Sequence, residues 1–436
     1  MNNDELMPFH IETTDNTKNS IIKVIGVGGG GGNAVNNMYE QGIENVDFII
    51  CNTDKQVLDA SPIPTKIQLG YTLTEGLGAG NDPNQGREAA KESIQEIMQI
   101  LQSTTKMVFI AAGMGGGTGT GAAPIVAQVA KELKILTVGI VTIPFLFEGE
   151  RRVRQAIEGL NELKQHVDSM IVINNEKLID VYGELEITEA FKKADEIITV
   201  AAKGIAEIIT KPGTVNVDFA DVKSVMKDSG VAVMGTGFGE GDKRAIKAVK
   251  NAITSPLLNN NDIKGAKNLL VNIISPNGNK ISTNEIKEIN DYLQGEAGFK
   301  ANLIWGMTID ESLDEDKASV TVVATQFDDN IIPTIEDILG GKSSRYNKKE
   351  KDDDKENNSE PEKKRKTEEE ISEKIKNIEN HKFDYTDENV VNDLEKTPAY
   401  KRQQLLIDFS TNNYKNTTRF KLNNDNTNNF LNPMVD

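Results

Sequence analysis

The sequence predicts an α/β protein with a Rossmann-like nucleotide-binding domain, a long central helix, a second smaller α/β domain and a disordered carboxyl-terminal tail. Three observations carry that expectation. Glycine-rich loops recur ahead of helical apolar spacing, two of them directly after short apolar runs. Residues 188–210 place Ala190, Ala194, Ile197, Ile198, Ala201, Ile205 and Ile208 at helical intervals until Lys211-Pro212-Gly213 stops them. From Lys348 onward the chain is a mixed-charge run and then an Asn-rich stretch, neither of which can bury a core.

Composition narrows the function classes. The 436 residues exceed one ordinary core, while 37% hydrophobic content and a mean hydropathy of -0.43 are low for a wholly globular chain. No apolar run approaches a membrane span, and the start lacks the basic and apolar regions of a signal peptide, so neither secretion nor membrane insertion is expected. Cys51 is the single cysteine and there are three histidines, which leaves no disulfide framework and no Cys- or His-based metal site. Net charge is -18, and residues 341–436 hold 19 basic and 20 acidic residues, so nearly all the excess falls on residues 1–340. An acidic body argues against duplex nucleic acid. A polyphosphate would have to be met by backbone dipoles and a cation, for which Mg²⁺ is the natural candidate.

Taken in order, residues 1–19 read as a polar arm. A strand at 21–25 leads into a glycine loop, 26–32, with Asn33 opening a helix. Gly26-x-Gly28-x-x-Gly31 satisfies the dinucleotide fingerprint, and Asp47 or Asp54 falls where an NAD ribose acid would. A second strand, 46–51, ends in Asn52-Thr53-Asp54. A further loop, Gly76-Leu77-Gly78-Ala79-Gly80-Asn81-Asp82-Pro83, precedes a helix over 84–101. Next comes the stretch with the most information, an apolar strand 107–112 followed by Gly113-Met114-Gly115-Gly116-Gly117-Thr118-Gly119-Thr120-Gly121 and a helix from Ala122 to Leu133. Strand, glycine loop, helix aims free N–H groups and the positive helix end at a phosphate, and Thr118 and Thr120 add hydroxyl donors. A nicotinamide enzyme needs one such cradle; several loops at neighbouring strand ends instead enclose a di- or triphosphate. No G-x-x-x-x-G-K-[ST] occurs, so the nucleotide is not held as in a P-loop protein.

After the strand 135–143, Glu148 and Arg152 flank a helix entrance, suited to sugar hydroxyls and a phosphate or equally to a surface ion pair. Phe191 and Glu196 near the start of the long helix could face a base, with plain packing the alternative for Phe191. Asn216, Asp218 and Asp221 gather at another helix start; capping explains one acid, whereas the three together can polarise a water. Residues 230–327 alternate strands and helices.

The run from Gly115 to Gly121 matches the signature of the tubulin/FtsZ family of GTPases. Gly28 to Asn33, Asn52-Thr53-Asp54, Phe147-Glu148-Gly149 with Arg152, and Asn216-Val-Asp218-Phe-Ala-Asp221 follow in the family's order. Over about 20–330 the chain resembles the bacterial cell-division branch, FtsZ. The resemblance implies a GTP/GDP site with Mg²⁺ accompanying the nucleotide. Gly29, Gly30, Gly31, Gly32, Asn33, Gly116, Gly117 and Thr118 would cradle the phosphates. Glu148 and Arg152 would hold the ribose end, and Asn175 with Glu196, standing where the family usually has Asp, would read guanine beside Phe191. Asn216, Asp218 and Asp221 would complete the active site of the next subunit in a head-to-tail filament, making the chain an assembly-dependent GTPase of the cytoplasmic mid-cell division ring. Pro398-Ala399-Tyr400 with Arg402 is similar to the family's docking peptide for membrane tethers such as the actin-like FtsA. The rival from another class is a Rossmann-type oxidoreductase, which predicts nicotinamide binding and has no use for Asn216, Asp218 and Asp221; a third reading, a nucleotide-gated filament with negligible turnover, is opposed by intact Asp218 and Asp221. The expected divisions are an arm (1–19), a GTP-binding domain (20–187), the central helix (188–212), an α/β activation domain (213–330), a charged linker (331–392), the docking peptide (393–407) and a tail (408–436).

Overall fold

The computed structural model describes residues 20–327 apart from 44, 103, 184–185 and 255–262, together with Ile338. The expected arm, docking peptide and tail, and the linker apart from Ile338, lie outside the described residues.

Six strands open the fold: β1 (Ile22–Val27), β2 (Val46–Asn52), β3 (Thr65–Gln68), β4 (Met107–Gly113), β5 (Leu136–Ile143) and β6 (Ser169–Asn174). Those at the centre are continuous apolar runs because both faces are covered; every residue of β1 and β5 is buried. The connecting helices are α1 (Gly28–Glu40), α2 (Lys55–Ala60), α3 (Tyr71–Thr74), α4 (Pro83–Glu92), α5 (Ile94–Leu101), α6 (Thr118–Glu132), α7 (Glu150–Leu163) and α8 (Glu176–Tyr182). The long helix α9 (Ile187–Thr210) then leads to α10 (Phe219–Met226). Beyond it come β7 (Gly230–Glu240), α11 (Arg244–Ile253), β8 (Asn268–Pro276), α12 (Thr283–Ala297), β9 (Asn302–Asp310) and β10 (Lys317–Thr325).

The strands form one sheet in the order β3-β2-β1-β4-β5-β6-β7-β10-β8-β9. The first six are parallel and doubly wound, with Ile22 paired to Val46 on one side and Met107 on the other. Their order reverses between β1 and β4, the point where an open α/β sheet leaves a crevice at its carboxyl edge. The strands of the second, smaller α/β part extend the same sheet: β7 runs parallel to β6 with Ser169 opposite Gly230 and then pairs antiparallel with β10. The core of that part is Ala248, Val249, Leu269, Ile273, Ile289 and neighbours, under α11 and α12.

Two expected boundaries change in an instructive way. Gly28 to Gly32 form the first turn of α1, and Thr118 to Gly121 the first turn of α6, so much of each glycine loop is helix. Glycine is a poor helix former, but a first turn has four N–H groups without intrahelical partners whatever its residues. The expected helix over 84–101 is broken at Ser93, whose hydroxyl accepts from the Gly70 N–H at 3.1 Å and thereby ties the break to the start of α3.

Candidate functional site

Both glycine-rich turns lie at the reversal of strand order, α1 following β1 and α6 following β4. They touch. A Cβ built on Gly28 would sit 2.8 Å from the Gly119 nitrogen and 3.3 Å from Thr118 Cβ. The third loop closes on the same place, since a Cβ on Gly117 would lie 2.9 Å from both Ala79 Cβ and the Asp82 nitrogen. On the inner side the space is open: added Cβ atoms at Gly29, Gly32 and Gly116 would meet nothing within 4 Å. Neither α1 nor α6 has a capping side chain or an acidic residue in its first turn. Two helix starts therefore lie beside open space with first-turn N–H groups uncapped and no competing carboxylate; this fits a polyphosphate. Asn33 is exposed beside them.

The two threonines of the signature have separate tasks. Thr120 is 2% exposed, and its hydroxyl accepts from the Gly115 N–H at 2.8 Å, folding the loop on itself. Thr118 is half-buried with its Oγ1 2.7 Å from Thr53 Oγ1. Thr53 belongs to the Asn52-Thr53-Asp54 turn that ends β2, and its carbonyl accepts from the Gly78 N–H at 3.2 Å and the Thr74 hydroxyl at 3.3 Å.

Flanking the cradle is an aromatic wall. Phe145 stacks on Phe147 at 4.9 Å, and Phe191 meets Phe145 edge-on at 5.4 Å, leaving Phe147 and Phe191 partly open to solvent. Phe191 thus packs and remains available. Glu148 binds its own turn, accepting from the Phe145 N–H at 3.0 Å, and pairs with Arg152 at 2.7 Å. The ion-pair term of the alternative is present at Glu148 and Arg152. Asn175 is buried beneath, and its Oδ1 has no hydrogen-bond partner. A buried carbonyl oxygen without a partner is an acceptor open to a donor.

Glu196 does not join this group. Five residues beyond Phe191, it is turned about 140° around the helix, and its carboxylate pairs with Lys193 at 2.6 Å with 43% of the side chain exposed. Asp195, four residues from Phe191, shares that ring's face. The next turn of the same face carries Thr199, whose hydroxyl reaches Asn37 and the Ala34 carbonyl of α1. Burial alone pushes the Asp195 carboxyl up to about 7. The sequence reading passed over Asp195, although the 3.6-residue period counted from Phe191 singles it out.

Asn216, Asp218 and Asp221 lie elsewhere, past the far end of α9. The Asn216 side chain accepts from the Gly213 N–H at 2.6 Å. Asp218 caps α10, accepting from the Asp221 N–H at 2.9 Å, while the Asp221 carboxylate accepts from the Asp218 N–H at 3.1 Å. The expectation that capping accounts for a single acid is therefore corrected: a reciprocal capping box uses both. Among the described residues no group of three or more His, Cys, Asp and Glu side chains could hold a metal.

A switch-point cradle of this composition, on a doubly wound sheet, defines a nucleotide-binding protein of the tubulin type. Residues 21–183 match the family model described as Tubulin/FtsZ family, GTPase domain, and residues 230–328 that described as FtsZ family, C-terminal domain. The chain belongs to the FtsZ family. It is 51% identical over 327 residues to the cell division protein FtsZ of Porphyromonas gingivalis, covering 74% of this chain and 70% of that one. With the protein of the same name from Coxiella burnetii the identity is 48% over 309 residues, 71% of this chain and 79% of the other. A solved structure described as an empty FtsZ dimer from M. jannaschii superposes with a TM-score of 0.66 at 45% identity, over 70% of this chain and 88% of that one.

Proposed function

We infer that this chain is a GTP-dependent polymerising protein of cell division, which assembles head to tail and hydrolyses GTP where subunits meet. The observation that carries this is the convergence of three glycine loops on one open cradle in a chain of the FtsZ family. Relatives carry the name cell division protein, and a structural neighbour is described as a dimer, which supports self-association.

The free N–H groups of Gly29 to Asn33 and of Gly116 to Thr118 hold the phosphates. Glu148 and Arg152 bound the ribose. Asn175 and Asp195, not Glu196, receive the guanine edge against Phe191, since guanine N1 and N2 both donate and each of these side chains offers an oxygen. Mg²⁺ arriving with the nucleotide supplies positive charge to phosphates that this acidic body does not neutralise. Asn216, Asp218 and Asp221 reach the γ-phosphate of the neighbouring subunit and orient the attacking water, while the cradle's N–H groups stabilise the developing charge. Such a contact is heterologous and does not close, so it propagates as a filament. Residues 393–407 dock to membrane-tethering division proteins, of which the actin-like FtsA is the family's example, and this brings the filament to a mid-cell ring on the inner membrane face.

Pelleting of the purified chain tests this reading. Protein incubated with GTP sediments as filaments while protein with GDP stays in the supernatant. Identical sedimentation with both nucleotides would contradict it.

A further inference from the structure

We propose that Thr53 is a positioning residue for the phosphate site, fixing the direction in which the Thr118 hydroxyl gives its proton. The inference rests on the guanine-nucleotide reading above.

Thr53 is fully buried, and its hydroxyl lies 2.7 Å from that of Thr118. Between two hydroxyls either oxygen can be the donor. A phosphate removes that freedom. Its oxygens only accept, so a Thr118 hydroxyl that contacts phosphate must spend its one proton there. Thr118 Oγ1 is then left as an acceptor facing Thr53, and the Thr53 proton has to point at it. The result is a two-step chain, Thr53 to Thr118 to phosphate, in which each bond polarises the next. Thr120 is the less accessible of the two, 2% exposed, with its hydroxyl oxygen accepting from the Gly115 N–H inside the loop.

The setting of Thr53 makes it a rigid donor. Its carbonyl is held by the Gly78 N–H and the Thr74 hydroxyl, and Asp54 immediately after it caps α2 through the Gln56 and Val57 N–H groups. The backbone of Thr53 cannot shift without disturbing the third glycine loop, and its β-branched side chain is stiff at χ1. Thr53 thus bonds the signature loop through its side chain and the 76–80 loop through its backbone.

The test is a double-mutant cycle read by binding of fluorescent mant-GTPγS to protein kept too dilute to assemble. Thr53→Val keeps shape and burial but removes the donor, and weakens binding on the order of tenfold. Thr53→Ser restores affinity to within about twofold, which a purely steric role would not produce. In a Thr118→Val background Thr53→Val has no further effect, because the proton has nothing left to orient. Where Thr53→Val does not fold by circular dichroism, Thr53→Ala takes its place in the cycle. Affinity unchanged in the Val variant, or the same loss in the Thr118→Val background, overturns the assignment of Thr53. A wild-type chain that binds no guanine nucleotide would overturn the functional reading itself.

Discussion

Between Asp195 and Glu196 the difference is one step of helix. Asp195 shares the face of Phe191 and Thr199, and burial lifts its carboxyl to about 7, whereas Glu196 pairs with Lys193 toward solvent. Replacing Asp195 by Ala is therefore expected to cut guanine-nucleotide affinity at least tenfold, through loss of a charge-assisted pair, and Glu196→Ala to leave it within about twofold; fluorescence titration of the two variants decides between them. The same group sets a pH dependence. Its folded value lies above the ordinary 3.8. The folded chain thus holds a proton that the unfolded chain releases, and stability falls as pH rises from about 4 to about 7. In the proposed base site the nucleotide takes the ionised form, so affinity is expected to weaken as pH drops from 8 to 6, approaching tenfold per unit below about 7. Asp195→Asn flattens that profile; a wild-type profile that is already flat would remove Asp195 from the base site. Glu196 was the expected reader because residue order alone does not say which carboxylate faces inward. Counting turns from Phe191 does.

At the level of elements, the signature run was legible because strand, glycine and helix signals fall in one short stretch. That the glycines themselves are helical was not, since propensity argues against it and only the unpaired N–H groups of a first turn explain it. The strand β3 and the short helix α2 left no usable pattern: β3 has four residues, of which only Ile67 is buried. Small residues in α6 are demanded by α4. A Cβ on Gly121 would stand 1.9 Å from the Pro83 carbonyl oxygen and 2.7 Å from the Arg87 nitrogen. Gly121→Ala should lower stability by about 1–3 kcal/mol or more through enforced separation of these helices, measured by chemical denaturation; an unchanged midpoint would show that α4 and α6 can part cheaply. The α10 capping box separates structure from chemistry in another way. Asp221→Asn retains an oxygen for the Asp218 N–H, so thermal stability should stay near that of the wild type while GTP turnover is lost. Asp218→Ala loses the cap as well, about 1 kcal/mol. If Asp221→Asn hydrolyses GTP normally, the pair is a cap and nothing more.

Across the whole molecule, α9 sets the distance between the two halves of the chemistry. Its 24 residues span about 36 Å. The helix starts beside the Phe145 and Phe147 wall and ends short of the Asn216, Asp218 and Asp221 turn. The sequence foretold this helix and its terminator well. It did not foretell that the second part would continue the first part's sheet, because strand pairing between β6 and β7 is set by contacts that no local pattern records. In the proposed mechanism, a cradle at one end and water-orienting groups at the other leave each chain with an incomplete site, which head-to-tail neighbours complete. Phosphate release from GTP, followed as protein concentration is raised, tests this most directly. The account predicts almost no release per molecule at high dilution and a steep rise above a threshold concentration. A specific activity that stays constant down to the lowest concentration measured would mean that one chain holds a complete site, and would contradict it.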